Sequence, residues 1–262
     1  MASHEPFSIL VTRPVHQADN MVSLIERQGW RAIRFPALEI VPAQLTARSV
    51  EILENIEVYD GLIFVSANAA NFALQANNGK INAFKKCPIA AVGKATAKAL
   101  ESLGLTVDWV PEAGFDSEAL LAMPQFQHIA EQAFLIVRGE GGREKLAETL
   151  RERGARVDYL EVYKRVKPQA DVEQIADILK NGRLHVVTIT SGEALLNLIE
   201  LLGTGMLPFL LSVPLVVISE RTKRMAEHLG FTTIAIASGP DDEAVINQIQ
   251  LIKSEEDRGR ID

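Results

Sequence analysis

The chain repeats itself at an offset of about 125 residues, and a self-repeat narrows the choice of fold more than any single motif. Arg13 falls opposite Arg138, Ser66 opposite Ser191, Gly93 opposite Ser219 and Thr96 opposite Thr222. Glu26-Arg27-Gln28-Gly29-Trp30-Arg31-Ala32 likewise parallels Glu152-Arg153-Gly154-Ala155-Arg156-Val157, each passing from a helix end through a glycine to the next strand. Two similar domains descended from one unit are the simplest inference. The repeat alone leaves open whether they are sequential or interleaved.

The repeated unit reads as α/β. Short apolar runs recur, namely Ser8-Ile9-Leu10-Val11, Gly61-Leu62-Ile63-Phe64-Val65, Ile89-Ala90-Ala91-Val92, Phe134-Leu135-Ile136-Val137, Val186-Val187-Thr188-Ile189 and Leu215-Val216-Val217-Ile218. Runs this short and this apolar suit strands buried on both faces of a parallel sheet. Each is followed by a small or polar turn and a stretch of helical period. After Val11 the apolar positions are Met21, Leu24 and Ile25, with Gly29 as the stop; after Val92 they are Ala95, Ala99 and Leu103, with Gly104 as the stop. Residues 36–42 and 160–168, edged by Pro36, Pro42 and Pro168, read as a pair of connector strands leaving one core for another.

Composition excludes several classes of function. A hydrophobic share of 47% over 262 residues is enough for two buried cores. A net charge of −7 with no Lys/Arg run argues against a nucleic-acid partner, so any anionic ligand must be gripped locally. The five histidines (His4, His16, His128, His185, His228) are scattered, and no metal site is expected. Cys87 is the only cysteine, and residues 1–6 lack the basic start and apolar run of a secretory signal, which together point to the cytoplasm. The most apolar stretch, residues 195–218, is interrupted by Gly203, Gly205, Pro208 and Pro214 and carries Glu200; it reads as helix, loop and strand, with no membrane span expected. The charged tail, residues 253–262, is expected to be disordered.

A set of separated motifs carries a resemblance. They are Leu10-Val11-Thr12-Arg13-Pro14, Ile63-Phe64-Val65-Ser66-Ala67-Asn68, Ala91-Val92-Gly93-Lys94-Ala95-Thr96, Asp116-Ser117-Glu118-Ala119-Leu120, Arg138-Gly139-Glu140-Gly141-Gly142-Arg143-Glu144, Val162-Tyr163, and Thr190-Ser191-Gly192 followed by Ile218-Ser219-Glu220-Arg221-Thr222. In this order and spacing, the chain resembles the uroporphyrinogen-III synthase family along nearly its whole length. It departs from the family's pattern at Ala67-Asn68 and at Ser219-Glu220.

The resemblance implies two flavodoxin-like parallel-sheet domains that are interleaved: residues 1–37 with 167–262 forming one, residues 45–157 the other, and residues 38–44 with 158–166 a two-strand hinge between them. It implies an active site in the cleft between the domains, hydroxymethylbilane as substrate and no cofactor; a monomer is expected, and the sequence leaves open whether it acts free or in transient contact with hydroxymethylbilane synthase. In α/β sheets, ligands lie beyond the carboxyl ends of the strands, where helix N-termini offer free N–H groups. The residues matching that description, and expected to bind substrate, are Ser66, Asn68, Gly93, Thr96, Ser117, Gly139, Ser191, Gly192 and Thr222, with Arg13, Arg138 and Arg143 adding charge. Each also has a purely structural explanation, since glycine permits tight turns and Ser or Thr caps helices.

Tyr163 is the expected catalytic residue. It lies near the end of the second connector strand, and a phenol, which ordinarily ionises near about pH 10, is a hydrogen-bond donor at neutral pH. The competing explanation is a core tyrosine with a satisfied hydroxyl. A tandem ligand-binding module would share the architecture and differ only in lacking turnover. A receiver-type phosphoacceptor lacks the cluster of acids that holds Mg²⁺, and Arg138-Gly139-Glu140-Gly141-Gly142 does not supply the glycine spacing of a dinucleotide site.

Overall fold

The computed structural model describes residues 6–112, 114, 116–142 and 144–259. The first half of the chain supplies β1 (Ser8–Val11), α1 (Asp19–Arg27), β2 (Arg31–Arg34), β3 (Glu39–Pro42), α2 (Ala47–Glu54), β4 (Gly61–Phe64), α3 (Ala67–Ala76), β5 (Ile89–Ala91), α4 (Lys94–Ser102) and α5 (Ser117–Ala122). The second half supplies β6 (Ala133–Gly139), α6 (Lys145–Glu152), β7 (Arg156–Val166), α7 (Glu173–Lys180), β8 (Val186–Ile189), α8 (Gly192–Leu202), α9 (Leu207–Leu211), β9 (Leu215–Val217), α10 (Glu220–His228), β10 (Ile234–Ile236) and α11 (Asp242–Gly259).

These elements form two compact units. Unit 1 is Met1–Glu39 with Val166–Asp262, and unit 2 is Ile40–Arg165. Unit 1 holds a sheet ordered β2-β1-β8-β9-β10, parallel throughout, which is the flavodoxin-like order 2-1-3-4-5. Unit 2 holds β5-β4-β6-β7 in parallel, with β3 beside β7 at one edge and a parallel bridge from Trp109 to Ala90 beyond β5 at the other. Unit 1 is therefore built from both ends of the chain, and unit 2 from the segment between them.

The sequence repeat explains why the two sheets match. Shifted by the repeat, β1, β2, β8, β9 and β10 fall on β6, β7, β4, β5 and the Trp109 bridge, and the spatial order is the same in both units. Each unit thus combines the opening strand-helix-strand of one sequence half with the closing strands of the other. The glycine stops match as well: Gly29 (φ 75°) and Gly154 (φ 87°) both occupy the left-handed region that ends a helix at low cost only for glycine.

Alternation along the strands gives each sheet a core on either face. In β6, Leu135 and Val137 join the layer containing Leu62, Phe64, Ala73 and Tyr163, while Phe134 and Ile136 join Ile63, Leu120, Leu146 and Leu150 on the other side. In β1, Leu10 faces Ile175, Leu195 and Leu198, and Ile9 and Val11 face Met21, Ile25 and Val245. A parallel sheet covered on both faces needs apolar residues at successive positions, and this is why its strands read as unbroken apolar runs.

Three sequence expectations need adjustment. The buried face of α4 is Thr96, Ala97 and Leu100, while Ala95 is exposed. An alanine carries only one methyl group and buries little apolar area, so it marks a helix face weakly. The tail expected to be disordered continues α11 as far as Gly259; there Lys253 pairs with Asp257 one turn on, and Ser254 Oγ donates to the Gln250 carbonyl. β10, with half-buried Ile234, Ala235 and Ile236, was not among the apolar runs. Among the described residues no single helix is long and apolar enough to cross a membrane. The α8 segment and Thr204–Leu211 are bent by 97°, and α8 buries Ala194, Leu195, Leu198 and Leu202 in unit 1.

Candidate active site

In unit 2 the carboxyl ends of β4, β6 and β7 meet at one tyrosine. Tyr163, 3% exposed, lies opposite Gly139 in the β6–β7 register, where the ladder shifts between Arg138 and Gly139. Its hydroxyl is 3.2 Å from Ser66 Oγ and its ring centroid is 5.7 Å from that of Phe72 on α3. Ser66 follows β4 in an extended conformation and caps α3, its Oγ accepting the Ala69 N–H at 3.1 Å. Gly139 leaves room for the ring: a Cβ on it would stand 2.4 Å from Tyr163 Cε2, closer than side chains approach. Three of the residues singled out from the sequence are thereby brought into contact.

The remaining unit 2 residues lie at helix starts on the same kind of turn. Asn68 is half-buried in the first turn of α3. Gly93 opens α4 without a side-chain cap, and Thr96 is buried at 6% exposure in the helix's first turn. Ser117 is the first residue of α5, where Asp116 accepts the Ala119 N–H at 2.9 Å. With no capping side chain on α4, the first N–H groups of that helix are left available to an anion.

Unit 1 carries the repeat-related set. Ser191 caps α8 by accepting the Ala194 N–H at 3.1 Å, and Gly192 is buried as the first residue of α8. Thr222, 1% exposed in α10, gives its N–H to Ser219 Oγ at 3.2 Å, with the two hydroxyl oxygens 2.9 Å apart. Gly93 and Ser219 are repeat partners, so the uncapped helix start of unit 2 corresponds to a capped one in unit 1.

The arginines are engaged within their own units. Arg138 lies with its guanidinium carbon 3.9 Å from the Tyr159 ring centroid and pairs with Glu144 at 2.9 Å and with Glu161 at 3.1 Å. Its Nη1 also donates to the Gly142 carbonyl at 3.3 Å, which ties down the Gly139–Gly142 turn. Burial works against its charge, but hydrogen bonds to Glu144 and Glu161 outweigh it and hold its pKa above the ordinary arginine value. Arg13 pairs with Asp242, which also accepts from Asn20 Nδ2 at 2.7 Å. Arg143 lies outside the described residues.

Sequence reasoning missed Asp242, Glu144, Glu161 and Tyr159. A signal existed for Asp242, because the repeat sets Asp241-Asp242-Glu243-Ala244 opposite Asp116-Ser117-Glu118-Ala119 and so puts an acid where unit 2 has Ser117. Asp241 also caps α11 as Asp116 caps α5, accepting the Ala244 N–H at 2.9 Å.

The three tyrosines are held in different ways. Tyr59 donates to Asp158 at 2.8 Å, and Tyr159 donates to Glu144. Burial and those carboxylates push both hydroxyls up, so both protons are tightly kept. Tyr163 meets the neutral hydroxyl of Ser66 instead. Among the described residues no group of three or more His, Cys, Asp or Glu is placed to hold a metal ion.

Comparisons with known proteins agree with one another. A family model described as uroporphyrinogen-III synthase HemD matches residues 19–247. The uroporphyrinogen-III synthase of Escherichia coli (strain K12) is 33% identical over 245 residues, covering 93% of this chain and 100% of that protein. The Salmonella typhimurium enzyme of the same name is 33% identical over 260 residues, with 93% and 100% covered. Among solved structures, uroporphyrinogen-III synthetase from Helicobacter pylori 26695 superposes with a TM-score of 0.65 at 17% identity, covering 94% of this chain and 99% of that one. A mutant uroporphyrinogen III synthase from the extremely thermophilic bacterium Thermus thermophilus gives a TM-score of 0.62 at 14% identity, covering 95% and 99%. The solved structures share the two-domain α/β fold, and the family model and sequence relatives carry the assignment: the chain belongs to the uroporphyrinogen-III synthase family.

Proposed function

We propose that this chain closes hydroxymethylbilane into uroporphyrinogen III, inverting ring D and releasing water, a lyase reaction in tetrapyrrole biosynthesis. Bilane goes to macrocycle plus water with no change of oxidation state, so the reaction calls for proton transfer and positioning alone. Loss of the terminal hydroxyl leaves an electrophilic azafulvene. Ring D attacks it through the carbon already bearing the neighbouring bridge, which forms a spiro intermediate. Cleavage of that older bridge bond and reclosure at the free α-carbon invert the ring, and loss of a proton restores the aromatic pyrrole.

In this reading Tyr163 gives a hydrogen bond, and then its proton, to the departing hydroxyl; the proton released on aromatisation restores the phenol. The observation that carries it is the meeting of Tyr163, Ser66 and Gly139 at the strand carboxyl ends, where the phenol faces the hydroxyl of Ser66. The substrate's acetates and propionates are received by backbone N–H groups at the helix starts marked by Asn68, Gly93, Thr96 and Ser117, and by those marked by Ser191, Gly192 and Thr222. Such donors need no basic patch, which fits a chain of net charge −7. Arg138 serves the site by fixing the Gly139–Gly142 turn. Arg13 serves its turn through the pair with Asp242, and Arg143 brings a positive charge to the stretch of sequence that follows Gly142.

Tyr163→Phe tests the acid role because it removes only a hydroxyl. A positioned general acid is worth about 10² to 10⁴ in rate, so the single-turnover rate at saturating hydroxymethylbilane falls by at least about 10²-fold while the thermal midpoint stays near wild type. A fall of less than about threefold rejects Tyr163 as the acid and leaves catalysis to the bound conformation of the bilane.

A further inference from the structure

The hydroxyl that touches Tyr163 is itself held by a helix. Ser66 Oγ accepts the Ala69 N–H at 3.1 Å and stands 3.2 Å from Tyr163 Oη. A serine hydroxyl has one proton and two acceptor lone pairs. With one lone pair committed to the cap, its proton is free to point at Tyr163. The opposite arrangement, phenol donating to serine, would spend the tyrosine proton on the cap and leave none for a departing group. Two features favour serine as the donor: accepting the N–H polarises its O–H bond, and the positive end of α3 lies beside it.

The repeat separates what the fold needs from what this site adds. In unit 1, Ser191 caps α8 through an identical 3.1 Å bond to Ala194. The positions opposite Tyr163 and Gly139, however, are Leu38 and Pro14. The cap therefore belongs to the architecture of both units, while the phenol and the glycine that admits it occur in unit 2 alone.

Resting on the reading that Tyr163 protonates the departing hydroxyl, we propose that Ser66 is a positioning residue whose hydroxyl donates to Tyr163 Oη, leaving the phenol's own proton directed at the bilane. Ser66 then acts through Tyr163, where the sequence had pointed to a substrate contact.

The test uses Ser66→Gly, Ser66→Thr and Thr46→Ala, with Ser66→Gly also built on Tyr163→Phe. Glycine removes the hydroxyl at a position where helices tolerate it, as Gly93 does at the start of α4. Threonine restores the hydroxyl. Thr46 caps α2 by accepting the Ser49 N–H at 3.1 Å, so Thr46→Ala reports what loss of a cap in unit 2 does by itself. Loss of one orienting hydrogen bond predicts about a tenfold drop in single-turnover rate for Ser66→Gly, with KM within about twofold. Ser66→Thr returns to within about threefold of wild type, and Thr46→Ala leaves the rate unchanged. On the Tyr163→Phe background, Ser66→Gly changes the rate by less than about twofold, because nothing remains to position. An equal loss on both backgrounds, a loss carried by KM, or a matching loss in Thr46→Ala overturns the proposal. If Tyr163→Phe keeps its rate, the acid reading falls and this inference falls with it; if Tyr163→Phe is slow and the two losses simply multiply, only the positioning role is rejected.

Discussion

Gly139 lies against the ring of Tyr163 so closely that a Cβ on it would stand 2.4 Å from Cε2 and 2.6 Å from Cζ, and the two residues are register partners across β6 and β7. The far end of a flexible side chain could swing away from such an atom. A ring packed between a strand and Phe72 has to shift bodily, and its hydroxyl shifts with it. Gly139→Ala is therefore expected to lower the single-turnover rate at least as far as Tyr163→Phe does, about 10²-fold or more, and to cost about 1 to 3 kcal/mol by overpacking. Single-turnover kinetics with urea unfolding check both. A rate within about threefold of wild type would show that the seat of the ring has no bearing on catalysis.

Asp242 joins the start of α11 to the turn after β1. It is 8% exposed, pairs with Arg13 and accepts from Asn20. The Arg13 side chain is 14% exposed and its buried Nε has no hydrogen-bond partner among the described residues, so losing the carboxylate leaves a poorly solvated charge. Asp242→Ala is expected to destabilise the protein by about 2 to 3 kcal/mol, somewhat below the cost of breaking a fully buried pair. The urea midpoint measures it. A change under about 0.5 kcal/mol would show that this pair contributes no more than a surface contact.

The exchange of repeat halves predicts which pieces of the chain fold. A fragment of residues 1–125 keeps β1 and β2 without β8 and β9, and β4 and β5 without β6 and β7. Residues 40–165 form the contiguous unit 2 with all its strand partners. Calorimetry of the separate fragments is expected to show a cooperative transition for residues 40–165 and none for residues 1–125. A cooperative transition in residues 1–125 would contradict the interleaved arrangement.

The strands were legible because a sheet covered on both faces needs continuous apolar runs, and Ile9, Leu62, Leu135 and Val187 each sit in one with essentially no exposure. The exchange between halves was not legible from the runs. Periodicity shows that Ser8–Val11 and Val186–Ile189 are strands but says nothing of their pairing. β10 escaped because three half-buried residues at a sheet edge carry too little pattern. In the site, small and hydroxyl residues after strands could be found one at a time, because parallel sheets turn their carboxyl ends toward ligands. Their partners could not: Ser66 and Tyr163 are 97 residues apart, and Arg13 and Asp242 are 229 apart, so only the completed topology brings them together.

Conversion of a linear bilane into the inverted macrocycle by this chain's own residues is the expected activity. Its most direct test supplies freshly made hydroxymethylbilane to the purified protein with no metal, nucleotide or flavin added, and separates the oxidised products by isomer. Type III uroporphyrin is the expected product, forming well above the spontaneous rate of ring closure. Accumulation of the type I isomer alone, at the spontaneous rate, would show that the protein does not catalyse the closure.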